Sequence, residues 1–214
     1  MAHGDGLAFF NAKDRHEFLA LAKGVGVIYM HRDADDDGVC TIAASPRHVG
    51  EGNLAFTESG LLLHTDSSAA ADPPSAIFLW CQTGSEAGGE SHFLSAADLV
   101  AMLREQGPDI LSALKSQAAA IYHSGEDVYR GPVLTGTDST AKLRLRLDTL
   151  GYFSTPVAVH IPLLTRMLDS AKREIKLKAG AGYAVRNDTW LHGRAAYADS
   201  SRTMLRILLS NLHG

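Results

Sequence analysis

No stretch of this sequence approaches the roughly 18 to 20 apolar residues that a membrane-spanning helix requires. Its opening, MAHGDGLAFFNAKDRHEF, has neither the cationic segment nor the apolar run of a secretory leader. The chain is therefore expected to be cytoplasmic, with no membrane partner. Surplus charge is scarce as well. The formal net charge is -4 and the pI near 6.2, without a basic stripe, so nucleic acid is not an expected partner. Cysteine is nearly absent. Cys40 and Cys81 each lie in apolar, strand-like text (GVCTI and FLWCQT), and two thiols alone make no disulfide framework; both read as small, reduced core residues. Internal repeats, long linkers and low-complexity tracts are missing too, which argues for a single domain over residues 1–214.

What is present is enough apolar material for one soluble domain: 45% hydrophobic residues against 21% charged in a chain of 214. HEFLALAK (16–23) spaces Phe18, Leu19 and Ala22 like one face of a helix, and GVGVIYM (24–30) and GVCTIAAS (38–45) read as short strands around the acidic turn RDADDDG. SAIFLWCQT (75–83) is a continuous apolar run between Pro73-Pro74 and Gly84, the profile of a buried strand. SAADLVAMLREQ (95–106) has the shape of a capped helix, with Ser95 able to accept from exposed amides and Asp98 in the first turn. Further helices are expected over 108–122 and 162–176, and closing strands over 181–193 and 202–210. Strands at both ends, helices between, and no regular alternation of strand and crossover helix argue against a doubly wound parallel sheet. They favour a mainly β, two-sheet jelly-roll barrel that carries helices.

The chemistry begins at LLLHTDSS (61–68). On an extended strand, side chains two apart share a face, so His64 and Asp66 would point together while Thr65 points away. Alone the pair is weak evidence in a chain with ten histidines and sixteen aspartates, and on this tripeptide alone a hydrogen-bonded polar cluster at a strand end is the preferred reading. WLHGRAAY supplies a third candidate, His192, set among apolar residues before a turn at Gly193. Two imidazoles and one carboxylate on one side of an ion form the facial arrangement of non-haem Fe(II) oxygenases, although zinc accepts the same residue types. In SRTMLRILL, Arg202 and Arg206 are four apart on a strand and so share a face with Met204. Inward guanidinium groups are costly unless something anionic meets them: a carboxylate cosubstrate, or ion pairs with Asp199 or Asp188. In AGGESHF, Gly88 and Gly89 permit a tight turn that returns the Ser91 hydroxyl to the next strand.

Taken together, NLAFTESGLLLHTD (53–66), DPPSAIFLWCQTGSEAGGESHF (72–93) and GYAVRNDTWLHGRAAYADSSRTMLRILLS (182–210) resemble the taurine dioxygenase and gamma-butyrobetaine hydroxylase family, with clavaminate synthase as a more distant relative. These are Fe(II)- and 2-oxoglutarate-dependent dioxygenases on a double-stranded β-helix. The resemblance implies that His64, Asp66 and His192 ligate iron and that Arg202 pairs with the distal carboxylate of 2-oxoglutarate. It places Ser91 where the family has a threonine or serine on that carboxylate. Arg206 matches a second arginine that faces the substrate in some members and supports the site in others. Small-molecule substrate and dioxygen are the implied partners. Asp66 favours hydroxylation over halogenation, because related halogenases have a small residue there. Residues 67–75 and 122–160 are expected to form the substrate lid.

Several features are set aside. DADDDG (33–38) imitates half a calcium loop, but the full loop would end at Ala44, where a carboxylate is required, so it reads as a solvated turn. His31, His48, His92, His123 and His160 read as structural, and Trp190, which shares a face with His192, as core. The expected activity is hydroxylation of an unactivated carbon of a small, amino-acid-like or carboxylate-bearing metabolite by a monomeric or weakly oligomeric enzyme. Desaturation at the same site is one alternative. A cupin-like metal-binding protein without oxygen chemistry is another, and Arg202 and Ser91 argue against it.

Overall fold

A computed structural model of the protein describes residues 6–45, 54–199 and 201–213; His48 and Asn53 lie outside the described residues. The elements in chain order are β1 (Leu7–Asn11), α1 (Arg15–Val25), β2 (Gly26–Ile28), β3 (Val39–Ala43), β4 (Leu61–His64), β5 (Ala76–Thr83), β6 (Ser91–Ser95), α2 (Ala96–Gln106) and α3 (Pro108–Leu114). They continue with β7 (Ala120–Ser124), β8 (Asp127–Gly131), β9 (Leu134–Thr135), β10 (Lys142–Leu143), β11 (Gly151–Phe153), α4 (Thr155–Ala158), α5 (Ile161–Ala171), β12 (Arg173–Ile175), β13 (Ala181–Arg186), β14 (Trp190–Arg194) and β15 (Thr203–Leu212).

Two antiparallel sheets form the jelly roll. The larger runs β1-β13-β5-β15-β2, with β3 also on β15, and the smaller runs β12-β6-β14-β4. Their facing sides share one apolar cluster, in which Ile77 and Leu79 of β5, Tyr183 and Val185 of β13 and Met204 of β15 meet Phe93 of β6 and Trp190 of β14. The sheets thus pack as two faces and do not close into a barrel. The alternate residues of the large sheet, Phe78, Trp80, Leu205 and Ile207, turn outward and are covered by Phe18 and Ala22 of α1. This explains why β5 reads as an unbroken apolar run: a strand buried on both faces has no polar side to show. Trp80 stacks on Phe18 at 5.9 Å and donates its Nε1–H to the carbonyls of Ala12 and Gly180, both at 3.0 Å. The outer face of the small sheet is sealed by helices. Leu63, Leu94 and Leu191 pack there against Leu99, Leu103, Leu164 and Leu168.

Local signals hold in α2, where Ser95 Oγ accepts from the Asp98 amide at 3.0 Å. Cys40 and Cys81 are free and buried, and burial pushes both thiols up. Three boundaries differ from expectation. The helix expected over 108–122 stops at Leu114; Ile121 and Tyr122 belong to β7, paired with β8 and β11, because a β-branched and an aromatic residue gain more from a sheet than the alanine-rich text suggests. The helix expected over 162–176 stops at Ala171, and Arg173–Ile175 adds an edge strand to β6. The single strand expected over 181–193 is two, split at Asn187 between the large and small sheets. Among the described residues no helix is long and apolar enough to cross a membrane.

Phe93 is fully buried between the sheets, edge-on to Tyr183 at 4.7 Å and to Phe9 at 6.1 Å. Replacing Phe93 by Ala is expected to lower the unfolding free energy by roughly 3–5 kcal/mol. Urea denaturation checks this; a loss below about 1 kcal/mol would mean the inter-sheet core relaxes around the gap.

Candidate metal centre and cosubstrate pocket

His64 ends β4 and His192 sits opposite it in β14, so one antiparallel register pair brings both rings to the inner face with centroids 4.4 Å apart. Asp66 lies beyond the strand, and its placement does not come from strand alternation alone. Thr65 N donates to Leu145 O at 2.9 Å, and the Asp66 amide donates to Asn187 Oδ1 at 2.8 Å. Asn187 Nδ2 returns bonds to Asp66 O at 3.0 Å and Pro74 O at 2.9 Å. Ser67, immediately after, takes a left-handed φ of 52°, a conformation costly for a side-chain-bearing residue, and the chain continues through Ser68, Ala69 and Ala70 along the wall of the adjoining cavity.

The result is a convergent donor set. Asp66 Oδ1 is 3.4 Å from His64 Nε2 and 3.7 Å from His192 Nε2, and one ligand atom from each residue lies within 4.8 Å of the others. His64 Nδ1 is 2.7 Å from the Leu62 carbonyl, a contact that assigns the proton to Nδ1 and leaves the Nε2 lone pair facing the centre. Burial, helped by His192 and Arg146, pushes His64 down to about 4, so the ring is neutral at physiological pH. Burial alone would raise Asp66, but the Arg206 guanidinium beside it overcomes this and holds the carboxyl well below its usual range. Arg206 Nη1 donates to Asp66 Oδ2 at 2.9 Å, leaving Oδ1 toward the histidines. Two imidazoles and one ionised carboxylate converging on one point fit a divalent cation.

These groups open onto a cavity of about 340 Å³ whose walls include Ser91, Tyr183, Arg194, Arg202, Met204 and Arg206. Arg202 is 4% exposed and lies over the Tyr197 ring at 5.0 Å, yet no carboxylate among the described residues pairs with it. Asp199 and Asp188 do not take that role: Asp199 accepts from the Ser201 amide, and Asp188 pairs with Lys142 and Arg186. Gly89 makes the approach of Arg202 feasible. Its φ is +74°, and a Cβ there would stand 2.7 Å from Ser85 Oγ and 3.0 Å from Arg202 Nε.

Sequence reasoning missed Arg194 and Arg146. Arg194 shares the parity of His192 on β14, a signal that was available. Its guanidinium donates to the carbonyls of Leu54, Ala55, Thr57 and Ser59, pinning that segment over the cavity, and burial lowers it to about 10. Arg146 comes from a distant loop and had none. Among the residues set aside, His31, Asp33 and His123 line the cavity wall, whereas His92 lies outside it, 3.2 Å from Glu174, and Trp190 is core. The acidic turn is tied internally, Asp35 Oδ1 accepting from the amides of Asp37 and Val39.

Fold and site together define a double-stranded β-helix protein with a two-histidine, one-carboxylate centre. The chain belongs to the taurine catabolism dioxygenase TauD, TfdA family, whose profile it matches over residues 1–208. Similar solved structures include an asparagine oxygenase in complex with Fe(II), 2S,3S-3-hydroxyasparagine and succinate, at 15% identity and a TM-score of 0.73, covering 97% of this chain and 74% of that one. The non-haem iron oxygenase OrfP with Fe, succinate and (3S)-hydroxy-L-Arg aligns at 13% identity and a TM-score of 0.74, over 97% of this chain and 76% of that one. OrfP with Fe and alpha-ketoglutaric acid aligns at 16% identity and 0.68, over 98% and 76%. At these identities the likeness is one of fold.

The His64 position predicts acid sensitivity. Between about 6.5 and about 4 the unfolded chain takes up a proton at His64 that the folded protein refuses. Stability is therefore complete above that window and is lost as pH falls through it, and the depressed Asp66 extends the loss to lower pH. For His64 alone the change is about 3 kcal/mol. Urea unfolding of the chelator-treated protein at pH 7 and pH 4 measures it. His64→Gln should flatten the pH dependence, and an unaltered slope in that variant would contradict the assignment.

Proposed function

We propose that the protein is an Fe(II)- and 2-oxoglutarate-dependent oxygenase. In this reading it hydroxylates an unactivated carbon of a small, amino-acid-like or carboxylate-bearing metabolite, consuming dioxygen and releasing succinate and CO2. The observation that carries the proposal is the juxtaposition of the His64–Asp66–His192 donor set with a buried arginine, Arg202, that lacks an acidic partner among the described residues. Family membership supports it, as do the iron and succinate or alpha-ketoglutaric acid bound in the similar asparagine oxygenase and OrfP structures.

The residues then have separable roles. His64, Asp66 and His192 hold the iron. Arg202 donates to the distal carboxylate of 2-oxoglutarate as a bidentate guanidinium, with the Ser91 hydroxyl a second donor to it. Arg206 holds Asp66 ionised and oriented, which is the supporting one of its two expected roles. Arg194 keeps the 54–59 segment closed against solvent, and Ile42, Phe56 and Leu79 give the pocket apolar walls. When bound, iron and the keto acid supply the oxidising power for attack on a carbon–hydrogen bond. A neutral imidazole at His64 and an ionised Asp66 mean that these two donors need no proton loss before metal enters. A jelly roll that merely holds a metal has no use for a buried guanidinium that lacks an acidic partner among the described residues. Desaturation remains the same-site alternative, and product mass separates the two: hydroxylation adds an oxygen atom, desaturation removes two hydrogens.

His64→Ala is expected to abolish iron affinity and succinate production while far-UV circular dichroism stays native. Succinate release at the wild-type rate would refute the ligand assignment. Arg202→Ala is expected to raise the 2-oxoglutarate requirement by roughly 2–5 kcal/mol, the cost of removing one partner of a buried charge pair. The anaerobic Fe(II)–2-oxoglutarate charge-transfer band, titrated with cosubstrate, reports that affinity directly. An unchanged midpoint would move the role to another cation.

A further inference from the structure

We infer that Arg146 is the anion subsite for the substrate, so that the compound oxidised carries a carboxylate read by this guanidinium. The inference rests on the oxygenase reading above and assigns the part of that site which faces substrate. Residues 144–146 run directly beside the metal donors: Thr65, which separates His64 from Asp66, donates its amide to Leu145 O at 2.9 Å, and the Leu145 amide donates to Thr65 Oγ1 at 3.1 Å. Leu145 is buried in the core beneath the helices, and Arg144 and Arg146 flank it. The Arg144 guanidinium lies 3.9 Å over the Tyr129 ring and donates to Ala70 O at 2.9 Å, tying down the 67–70 segment. Arg146 lines the cavity, its side chain only 14% exposed, near enough to His64 for its charge to act on the imidazole.

Arg146 is also held for the task. Its Nε and Nη2 both lie 2.8 Å from Asp148 Oδ2, and Asp148 Oδ1 accepts from the Leu150 amide at 3.1 Å. The side of the guanidinium is thereby fixed while Nη1 has no hydrogen-bond partner among the described residues. A planar guanidinium anchored on one edge offers its end to a second carboxylate with little entropy left to lose. The other arginines of the cavity are committed elsewhere. Arg206 holds Asp66, Arg194 holds four backbone carbonyls, Arg202 is assigned to the cosubstrate, and the Arg32 side chain is 63% exposed beside Asp33. Ser67, Tyr122, His123 and Leu150 line the cavity along with Arg146.

The test loads the full-length protein with Fe(II) and 2-oxoglutarate. The probes are the standard L-amino acids together with simple aliphatic mono- and dicarboxylic acids, each paired with its primary amide. Size is kept within a pair while the charge is removed. Two readouts are taken: probe-stimulated succinate release, and affinity by anaerobic calorimetry, which needs no turnover. At least one acid should stimulate release and bind about tenfold or more tightly than its amide. Arg146→Gln should raise the KM for that acid by a similar factor and close the gap between acid and amide. Arg146→Lys, which keeps the charge, should recover part of the affinity and so separates lost charge from lost fold. The inference is overturned if amides serve as well as acids, if Arg146→Gln keeps the wild-type KM, or if no acid either binds or stimulates. Wild-type protein that makes no succinate under any condition would instead overturn the oxygenase reading itself.

Discussion

The ion pair between Asp66 and Arg206 is the constraint on which the rest of the site depends. Both side chains are largely withdrawn from water, and the pair spans the two sheets, Asp66 following β4 of the small one and Arg206 projecting from β15 of the large one. A carboxylate buried without a partner protonates, and a protonated acid is a poor metal donor. Arg206 prevents this, and it engages Oδ2 so that Oδ1 remains near both histidines. The contact therefore fixes charge state and direction together. Its energetic worth to the fold is secondary, since burying two charges costs about as much as their attraction returns.

That contact can form only because the two sheets are held in register by apolar packing. Phe93 stands opposite His192 in the small sheet and meets Tyr183 of the large sheet edge-on. Met204, two residues before Arg206, lies in the same inter-sheet cluster. The large-sheet strand that carries the arginines is packed on both faces. β5 and β15 are covered on one side by the facing sheet and on the other by α1, so the arginine-bearing strand has little freedom to shift. Function here is placed on rigid strands and closed by loops, with Arg194 and Arg144 each tying a loop down through backbone carbonyls.

Much of this was legible in the letters. The His-Thr-Asp spacing, the late histidine and the arginine repeat each carry a local signal, and the jelly roll follows from strands at both ends with helices between. Strand alternation alone does not place Asp66, however. The strand ends at His64, and Asp66 is aimed by Asn187, a residue 121 positions later whose role no local pattern announces. The same applies to Arg146, brought beside Thr65 by hydrogen bonds between Thr65 and Leu145 across 80 residues. Helix boundaries failed where a local helical text met an available strand partner: Ile121–Tyr122 and Arg173–Ile175 both left the helix pattern to pair with a neighbour. Periodicity reports what a segment can do alone, whereas edge pairing is decided by what lies beside it.

The arginines show how one residue type serves four ends in one cavity. Arg206 meets the Asp66 carboxylate, Arg194 backbone carbonyls, Arg146 a supporting aspartate, and Arg202 no acidic group of the described chain. The protein as a whole carries a net charge of -4, so this concentration of guanidinium groups is local and runs against the overall sign. Low-dielectric walls strengthen such a local field, which draws anions in from a surface that otherwise repels them. A dianionic keto acid is suited to this field, and so is a second anion beside it. The same field would oppose a metal cation if Asp66 were neutral, which returns the argument to the ion pair: by keeping one negative charge at the centre, Arg206 lets a cation and its anionic partner occupy neighbouring positions.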